Sequence, residues 1–443
     1  MLEPMEDEGR HTTLRDARVL VLAPQFPSLN QPWMDTYLHQ LGEAGIPYAV
    51  MSRLPKRLRY HRRVDELGLQ RQRFVLSETR SRILSSLAVG FSAQPLRTMR
   101  RVWLAWQRTR EESSFARHLG AAMRGASIAV YLRHLPSLRV IHAHFLQIAY
   151  EAIPAADERG LPLILTFHGL EPTGVPQVPT ERRLAVFRRA AVVLVNTEAA
   201  RQQAEALGCP ADRLRVLPQG LNLDDFPFVP RACPPSSAPV HILSVGRFQR
   251  EKGQRYALLA LARLRRLGLD VRWHFVGVGP EIPALRRFAA RLGVADAATI
   301  HDGLDLVALR ELYASCHLFV LTSLTGTGAS PWIETQGVVL QEAQASGCIP
   351  IATRTGGIPE CITDGLDGLL VEERSHRAIA DAIRHLLAHP ERWAELQHNG
   401  RRTVEERFSA DVIGRRMAAI LEELAGPLTQ AGSGTRDTMP SNP

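Results

Sequence analysis

The chain has 443 residues, of which 45% are hydrophobic and 22% are charged, and its formal net charge is +9. A chain of this length exceeds what one hydrophobic core ordinarily serves, so we expect two globular domains. The composition excludes low-complexity and fibrous proteins. The chain has no apolar run of about 18 residues, and its amino-terminal stretch MLEPMEDEGRHTT is polar and acidic. These features predict a cytoplasmic protein without a transmembrane span.

The five cysteines are odd in number, scattered and free of CxxC spacing. This pattern argues against a disulfide framework and against a zinc site, so we expect small buried apolar side chains and no bound metal. The residues are Cys209, Cys233, Cys316, Cys348 and Cys361.

The positive charge is concentrated in one segment. Residues 51–110 contain 15 Arg or Lys and three acidic residues, a balance of +12, so the rest of the chain sums to −3. Lys56 and Lys252 are the only lysines, and every other basic residue is arginine. A lysine at position 252 therefore stands out in a chain that otherwise uses arginine.

Short apolar runs alternate with amphipathic helical patterns over residues 17–230, which predicts a Rossmann-like domain with a parallel sheet. Within it, 51–130 reads as a basic helical insertion. The predicted strands are 17–24, 47–52, 139–144, 161–169, 191–197 and 214–218.

Residues 231–240 carry Pro, Ser and Ala without periodicity and are typical of a linker. The alternation then resumes, which predicts a second Rossmann-like domain over 241–408. Residues 409–425 have a helical pattern, and the tail 426–443 has the composition of a disordered terminus. The predicted strands of the second sheet are 241–246, 271–277, 298–303, 317–323, 349–353 and 368–372.

Ligands of parallel sheets collect at the carboxyl ends of the strands. After strand 241–246 the chain passes Gly246 and Arg247 and enters a helix at Lys252 and Gly253. A helix amino terminus favours an anion, and an arginine with a compact ammonium could hold a diphosphate from two sides. The alternative is a solvated turn with ordinary charges.

Two carboxylates, Glu334 and Glu342, stand eight residues apart around the start of another predicted helix. A carboxylate in a loop can accept hydrogen bonds from sugar hydroxyls, and one on the helix can hold a ribose diol. Helix capping and complementing of the helix dipole are the alternative roles for such residues.

Several of these motifs recur together in one known family. The stretch G246-R247-(x4)-K252-G253, the spacing E334-(x7)-E342, the ending GGIPE at 356–360 and the stretch 166-TFHG-169 resemble the retaining family 4 glycosyltransferases. The runs HAHF at 142–145 and VLQEAQASG at 339–347 are similar to bacterial enzymes of capsule and exopolysaccharide assembly.

The resemblance implies the GT-B fold, an α/β architecture with two Rossmann-like domains facing across a cleft. The helix at 409–425 would cross back to the first domain. It also implies that a nucleotide-sugar is the donor substrate, that no cofactor or metal is needed, and that a glycan, lipid-linked in this interpretation, is the acceptor.

The same resemblance assigns roles to individual residues. Arg247 and Lys252 would bind and neutralise the departing diphosphate, as preorganised positive charge can. Glu342 would hold the ribose, and Glu334 with the following backbone N–H groups would hold the donor sugar. His168 would face the anomeric carbon. The glycines that would line the substrate are Gly169, Gly246 and Gly337.

Two positions depart from the family pattern. Thr335 stands where the family commonly has glycine, which makes sugar recognition less secure than nucleotide recognition. Asn222 stands where the family usually has aspartate, and no catalytic role is assigned to it. His142 and His144 are interpreted as structural, with one facing the core and the other a different face.

Residues 82–108 mix arginine with Leu, Phe91, Trp103 and Trp106, a composition typical of helices at a membrane interface. This predicts peripheral contact of 51–110 with an anionic membrane at the inner face. The alternative is a helical insertion that buries its apolar face. Nucleic acid is a poorer partner, because no motif for groove or base recognition is present.

The sequence thus predicts a retaining, metal-independent glycosyltransferase of cell-surface polysaccharide synthesis. One rival is a GT-B relative with other chemistry, such as a nucleotide-sugar epimerase or a glycan phosphorylase. A phosphorylase needs a lysine for a covalent pyridoxal cofactor, and only Lys56 and Lys252 are available. The other rival is a non-catalytic nucleotide-sugar-binding protein, for which Thr335 and Asn222 would be signs of decay.

Overall fold

A computed structural model describes residues 14–26, 32–53, 73–76, 87, 88, 90, 92, 94–108, 115–171, 177–326 and 332–428. Of the predicted basic insertion, residues 54–72 and 77–86 lie outside these ranges. Phe91 and the tail beyond residue 428 also lie outside them.

The first sheet has seven strands in the described residues, in the order β3-β2-β1-β4-β5-β6-β7. The pairs with assigned register, such as β1 with β2 and with β4, are parallel. The central strands β4 and β5 are buried at every position, as expected for a sheet covered on both faces. The strands are β1 Val19–Gln25, β2 Tyr48–Arg53, β3 Arg73–Leu76, β4 Val140–His144, β5 Leu163–Phe167, β6 Val192–Val195 and β7 Leu214–Val216.

The second sheet has six strands in the described residues, in the order β10-β9-β8-β11-β12-β13, and all its registers are parallel. The order reverses direction between β8 and β11, the place where doubly wound sheets open a ligand crevice. The strands are β8 Val240–Val245, β9 Val271–Gly277, β10 Ala298–Asp302, β11 Leu318–Leu321, β12 Ile349–Thr353 and β13 Leu369–Val371.

Helices separate most of the strands along the chain, which gives the repeated βαβ connection. No helix within the described ranges is both long enough and apolar enough to cross a bilayer. The helices are α1 Pro32–Glu43, α2 Pro95–Arg108, α3 Phe115–Tyr131, α4 Leu146–Arg159, α5 Thr180–Arg189, α6 Glu198–Ala206, α7 Gln254–Arg266, α8 Ile282–Arg291, α9 Leu306–Ser315, α10 Val338–Ala345, α11 Ile358–Cys361, α12 His376–Ala388, α13 Trp393–Arg407 and α14 Ala410–Ala425.

All twelve strands predicted from the apolar runs are confirmed, with bounds that differ by at most three residues. The short strand β3 is missing from the prediction. Its sequence RFVL lies among arginines, and the surrounding charge led us to read 51–130 as helical throughout. Among the described strands β3 lies at the edge of the sheet beside β2, and its four residues are too few to leave a strong apolar signal.

Contacts between Cα atoms divide the chain into two compact units. The first takes in residues up to Phe167, Val178–Leu194 and the chain from Gly414 onward, and the second takes in His168–Gln177 and Val195–Ile413. Helix α14 is therefore shared, because its residues from Gly414 group with the first unit. All strands up to residue 216 belong to the first sheet, and all from residue 240 belong to the second. The domain boundaries given above stay a prediction.

The second unit packs its sheet between two apolar clusters, of which one includes Trp273 and Trp393 and the other Tyr313 and Phe319. Burial of large aromatic side chains on both faces stabilises the sheet by the hydrophobic effect. The five cysteines are free thiols, and all except Cys233 are buried, as the sequence predicts.

The expectation that His142 and His144 face different sides is wrong. Their ring centroids are 4.4 Å apart, because residues two apart on a strand project from the same face. Both are buried, at 1% and 3% exposure. The hydroxyls of Tyr37 and Thr166 each lie 2.7 Å from a ring nitrogen of His142, which supports its structural role.

Candidate active site

The segment between β8 and α7 brings Lys252 to the carboxyl end of the second sheet. Residues Arg250–Lys252 form a 3-10 turn, and Gly253 then adopts a left-handed φ of 65° before α7 begins. A Cβ at Gly253 would lie 2.0 Å from the carbonyl oxygen of Thr322, so only glycine fits. This close approach places Lys252 beside the loop that follows β11.

Lys252 and Glu334 form an ion pair at the centre of the site. The Nζ atom of Lys252 lies 2.5 Å from Oε2 of Glu334, and the hydroxyl of Ser323 donates to the same oxygen at 2.7 Å. The ammonium also lies 5.3 Å from the ring centroid of Trp332, within the range of a cation–π interaction. The side chains are 14% and 9% exposed, so the pair is largely shielded from water.

The surroundings keep Glu334 ionised. Burial raises the pKa of its carboxyl, but the charge and hydrogen bond of Lys252, the hydroxyl of Ser323 and the charge of Arg247 outweigh burial. The net result is a pKa below the usual value. The side chain of Arg247 itself is exposed.

Glu342 has a different environment eight residues along the chain. It lies on α10 and accepts a hydrogen bond of 2.7 Å from the hydroxyl of Tyr313, which is fully buried on α9. Burial raises the pKa of Glu342 to about 7, and the hydrogen bond from Tyr313 only partly opposes this. The predicted positions are confirmed, with Glu334 in the loop before the helix and Glu342 on the helix.

His168 and Gly169 follow directly after β5, at its carboxyl end. Burial lowers the pKa of His168 to about 3, so the imidazole is neutral at physiological pH. Gly169 has a φ of 91°, and a Cβ there would lie 2.7 Å from the methyl group of Thr335. Thr335, the departure from the family pattern, therefore packs against the TFHG turn.

Gln219 and Gln336 were not identified as site residues from the sequence. The side chain of Gln336 bonds both main-chain groups of Gln219, and the side-chain nitrogen of Gln219 lies 3.3 Å from Nδ1 of His168. Tyr313 and Ser323 were missed as well. No local pattern in the sequence marks these residues, because their partners are distant along the chain.

The GGIPE ending at 356–360 acts on the backbone of the Glu334 loop. Gly357 donates its N–H to the carbonyl oxygen of Glu334 at 2.8 Å, and a Cβ at Gly356 would lie 2.1 Å from that oxygen. The carboxylate of Glu360 accepts from the N–H groups of Glu198 and Ala199 at 2.7 and 2.8 Å, at the start of α6. These residues thus hold the loop in place.

The predicted residues fall into separate groups. Lys252 and Glu334 are in direct contact, whereas Glu342 is bonded to Tyr313 instead. Gly337 has a φ of 74° and caps the start of α10. The side chain of Asn222 accepts from the N–H of Asp224 at 3.2 Å, a local turn bond that agrees with its exclusion from catalysis. Within the described residues, no group of three or more potential ligands could hold a metal ion.

Two family models match the chain, and they define its class. The model described as "Glycosyl transferases group 1" matches residues 233–403, and the model described as "Glycosyltransferase Family 4" matches residues 110–225. Together they cover most of both sheets. The chain therefore belongs to the family 4 glycosyltransferases, as the sequence motifs predict.

Individual relatives agree with this class. The chain is 27% identical over 261 residues to the colanic acid biosynthesis glycosyltransferase WcaL of Escherichia coli, covering 58% of this chain and 63% of that one. It is 33% identical over 225 residues to a GDP-mannose-dependent phosphatidylinositol monomannoside mannosyltransferase of Mycolicibacterium smegmatis, covering 49% and 58%. The Mycobacterium tuberculosis protein of that name is 30% identical over 274 residues, covering 58% and 69%. The chain thus spans about 60% of the first two relatives' length.

Solved structures show the same fold at low identity. Anabaena HepE in complex with UDP-glucose has a TM-score of 0.68 at 17% identity, covering 92% of this chain and 100% of that one. Sucrose-phosphate synthase of Thermosynechococcus elongatus also has a TM-score of 0.68, at 18% identity, covering 92% and 99%. The chain accordingly has the GT-B fold, with two α/β sheets.

Proposed function

We propose that the chain transfers a glycosyl group from a nucleotide-sugar to a glycan acceptor, with retention and without a metal ion. The observation that carries this proposal is the shielded pair of Lys252 and Glu334 at the carboxyl end of the second sheet. The exposed guanidinium of Arg247 adds a second positive charge, whose effect reaches the Glu334 carboxylate.

The ion pair between Lys252 and Glu334 can bind a nucleotide-sugar without being broken. An ammonium has three N–H donors, so Lys252 can keep Glu334 while a further proton reaches a phosphate oxygen. The bonds from Lys252 and Ser323 both go to Oε2 of Glu334. Among the residues that the structure describes, no hydrogen bond to Oε1 is found, and we assign this oxygen to the hydroxyls of a sugar. The ammonium of Lys252 and the carboxylate proposed to bind the sugar are thus in direct contact.

The transfer itself needs charge stabilisation more than acid–base catalysis. The bond between the anomeric carbon and the phosphate oxygen breaks, and the acceptor oxygen bonds to the same face of the sugar. The acceptor proton moves to an oxygen of the departing diphosphate. Lys252 and Arg247 stabilise the negative charge that develops there. His168 is neutral at physiological pH and contributes as a hydrogen-bonding group.

Glu342 is the proposed ribose ligand. Its carboxyl lies on α10, and acidic residues hold the ribose hydroxyls in dinucleotide folds as well. A pKa of about 7 allows it to accept two hydroxyls when ionised or to donate one bond when protonated. Binding of a diol favours the ionised form.

The names of relatives support a donor of this kind and a lipid-linked acceptor. The mycobacterial relatives are named for GDP-mannose and for a phosphatidylinositol mannoside, and WcaL is named for colanic acid, while HepE was solved with UDP-glucose. We extend these to the present chain as a nucleoside diphosphate sugar, a lipid-linked glycan and a role in cell-surface polysaccharide synthesis.

A screen of nucleotide-sugars tests the donor. Purified protein is heated with UDP-, GDP- or ADP-sugars, and a ligand at 100 times its dissociation constant raises the free energy of unfolding by about 2.7 kcal/mol. Release of nucleoside diphosphate with an acceptor then separates an enzyme from a non-catalytic binder. Stabilisation without any turnover would favour the binder, and conversion of the donor to its epimer would favour the epimerase.

Helix α2 supports peripheral contact with an anionic membrane. Leu96, Met99 and Trp103 follow one another at helical spacing and are 80%, 59% and 56% exposed, an apolar stripe that the helix leaves uncovered. Arg97 and Arg100 are exposed beside it. Exposed apolar residues with adjacent positive charge are typical of helices that lie in the lipid headgroup region.

The two tryptophans of the basic segment differ. Trp106 is partly buried and packs against the cluster that contains Leu87, Ala105 and Ala122. Trp103 is the more exposed of the two, at 56%. Trp103 is therefore the tryptophan that we propose to contact lipid.

Sedimentation with vesicles tests this contact. Wild-type protein is expected to bind vesicles with anionic lipid at low salt and to detach as ionic strength rises. Trp103→Ala should weaken binding, whereas Leu267→Ala, which removes an apolar side chain of similar exposure (50% against 56%) outside α2, should not. Equal binding of the two variants would contradict the assignment to α2.

A further inference from the structure

Three glutamine side chains connect helix α10 with the imidazole of His168. Gln336 and Gln341 are buried, at 1% and 0% exposure, and their side-chain amides are 3.5 Å apart. Gln336 contacts the main chain of Gln219, and Gln219 contacts His168. The chain of contacts therefore begins in the segment that carries Glu334 and ends at the histidine.

The main chain fixes the orientation of the Gln336 amide. The N–H of Gln219 donates to Oε1 of Gln336 at 2.7 Å, and Nε2 of Gln336 donates to the carbonyl oxygen of Gln219 at 3.1 Å. The opposite orientation would place donor against donor and acceptor against acceptor, which is costly for a buried amide. Gln219 is thus held at a defined position by two hydrogen bonds.

The contact between Gln219 and His168 fixes the proton on the ring. A carboxamide nitrogen can only donate, and Nε2 of Gln219 lies 3.3 Å from Nδ1 of His168. With the Gln219 amide in this orientation Nδ1 accepts, and a neutral imidazole that accepts at Nδ1 carries its proton on Nε2. The low pKa of His168, caused by burial, is consistent with a ring that stays neutral.

We propose that Gln219 is a positioning residue that holds His168 in the Nε2–H tautomer, so that the imidazole presents a hydrogen-bond donor to the donor substrate. This inference rests on the proposed function, in which His168 faces the donor sugar. Gln336 extends the effect by coupling the placement of Gln219 to the loop of Glu334. His168 then donates a hydrogen bond to a sugar oxygen and does not exchange its proton.

The tautomer can be read directly by nitrogen NMR of the full chain labelled with ¹⁵N-histidine. The chain has 16 histidines, so the signal of His168 is identified by its loss in His168→Gln. Wild type is expected to show an unprotonated Nδ1 and a protonated Nε2. Gln219→Glu places an acceptor at Nδ1 and should move the proton to that atom. Gln219→Met has no donor, so a mixture of tautomers is expected.

The matched control is Gln202→Glu. Gln202 is an exposed residue of α6, and the same substitution there adds the same charge to the same unit. The His168 signals should remain as in wild type. Melting temperatures of all variants show whether each one is folded before its spectrum is compared.

Kinetics separate positioning from general structural damage. Gln219→Glu and Gln219→Met should lower kcat by about tenfold or more, the effect of one lost hydrogen bond to the reacting sugar, with KM for the donor within about twofold. A purely structural glutamine would change both variants' melting temperatures without changing the tautomer.

The outcomes are distinct. An Nδ1–H tautomer in wild type, or unchanged His168 signals in both folded Gln219 variants, would overturn the positioning role. If the tautomers change as expected but no nucleotide-sugar is turned over by wild type, the proposed function fails while the contact between Gln219 and His168 stands.

Discussion

Glu334 and Glu342 are eight residues apart and equally buried, each 7% exposed when the whole residue is counted, yet their pKa values are shifted in opposite directions. Glu334 lies against an ammonium and a hydroxyl, which hold its pKa below the usual value. Glu342 has only the hydroxyl of Tyr313, and burial raises its pKa to about 7. The neighbours of each carboxyl, and not its depth, decide its charge. Two carboxyls with different protonation are suited to different parts of one ligand.

Removal of Lys252 should have the largest effect on this difference between the two carboxyls. Lys252→Ala leaves a buried carboxylate without its cation and removes one preorganised positive group from the departing diphosphate. We expect kcat to fall by about 10²–10³. Lys252→Arg should recover only part of the activity, because a planar guanidinium does not replace a compact ammonium. Steady-state transfer assays with melting temperatures as controls measure both variants, and near-normal turnover by Lys252→Ala would refute the role.

The raised pKa of Glu342 predicts a dependence of stability on pH. The folded protein retains this proton between the ordinary value of 4.5 and about 7, so the folded state binds more protons than the unfolded state in that range. Its contribution is present below pH 4.5 and is lost as pH rises to about 7, by about 3 kcal/mol in all. Glu342→Gln should remove this part of the dependence. Denaturant unfolding from pH 4.5 to 8 measures it, and parallel curves for the two proteins would contradict the shift.

Single hydroxyl deletions sharpen the comparison on a smaller scale. Ser323→Ala removes one hydrogen bond from Glu334, and Tyr313→Phe removes one from Glu342. Each should reduce the free energy of unfolding by about 1 kcal/mol at neutral pH. In Ser323→Ala the carboxylate of Glu334 keeps its ion pair with Lys252, whereas in Tyr313→Phe the carboxyl of Glu342 loses the hydrogen bond described above. We therefore expect the affinity for the nucleotide-sugar to fall less in Ser323→Ala than in Tyr313→Phe. Equal losses of affinity would show that the two carboxyls are not distinguished by their neighbours.

The sheets follow from the sequence because each buried parallel strand leaves a local apolar run. The sequence does not predict strand β3, because a strand of four residues among arginines leaves no apolar run long enough to be recognised. Position along the chain also predicts that Lys252 follows a strand at the carboxyl edge of its sheet, whereas the roles of Glu334 and His168 are predictions from the resemblance to the family.

The contacts of those residues could not be read in the same way. Glu334 meets Lys252 across 82 positions of sequence, and Gln336 meets Gln219 across 117. Such pairs depend on how separate βα units pack against each other, and the local sequence of either segment does not indicate which residue it will contact. The exposure of Trp103 and the partial burial of Trp106 likewise depend on which face of α2 packs against its neighbours.

The most direct test of the account is the affinity of the protein for a free nucleoside diphosphate, measured by calorimetry. Lys252→Ala is compared with Arg266→Ala, which removes one exposed charge at the opposite end of the same helix, α7. If Lys252 and Glu334 form the diphosphate end of a donor site, UDP, GDP or ADP binds the wild type, Lys252→Ala weakens that binding at least about tenfold, and Arg266→Ala leaves it unchanged. Equal affinity in wild type and Lys252→Ala, or no binding of any of the three nucleotides, would contradict it.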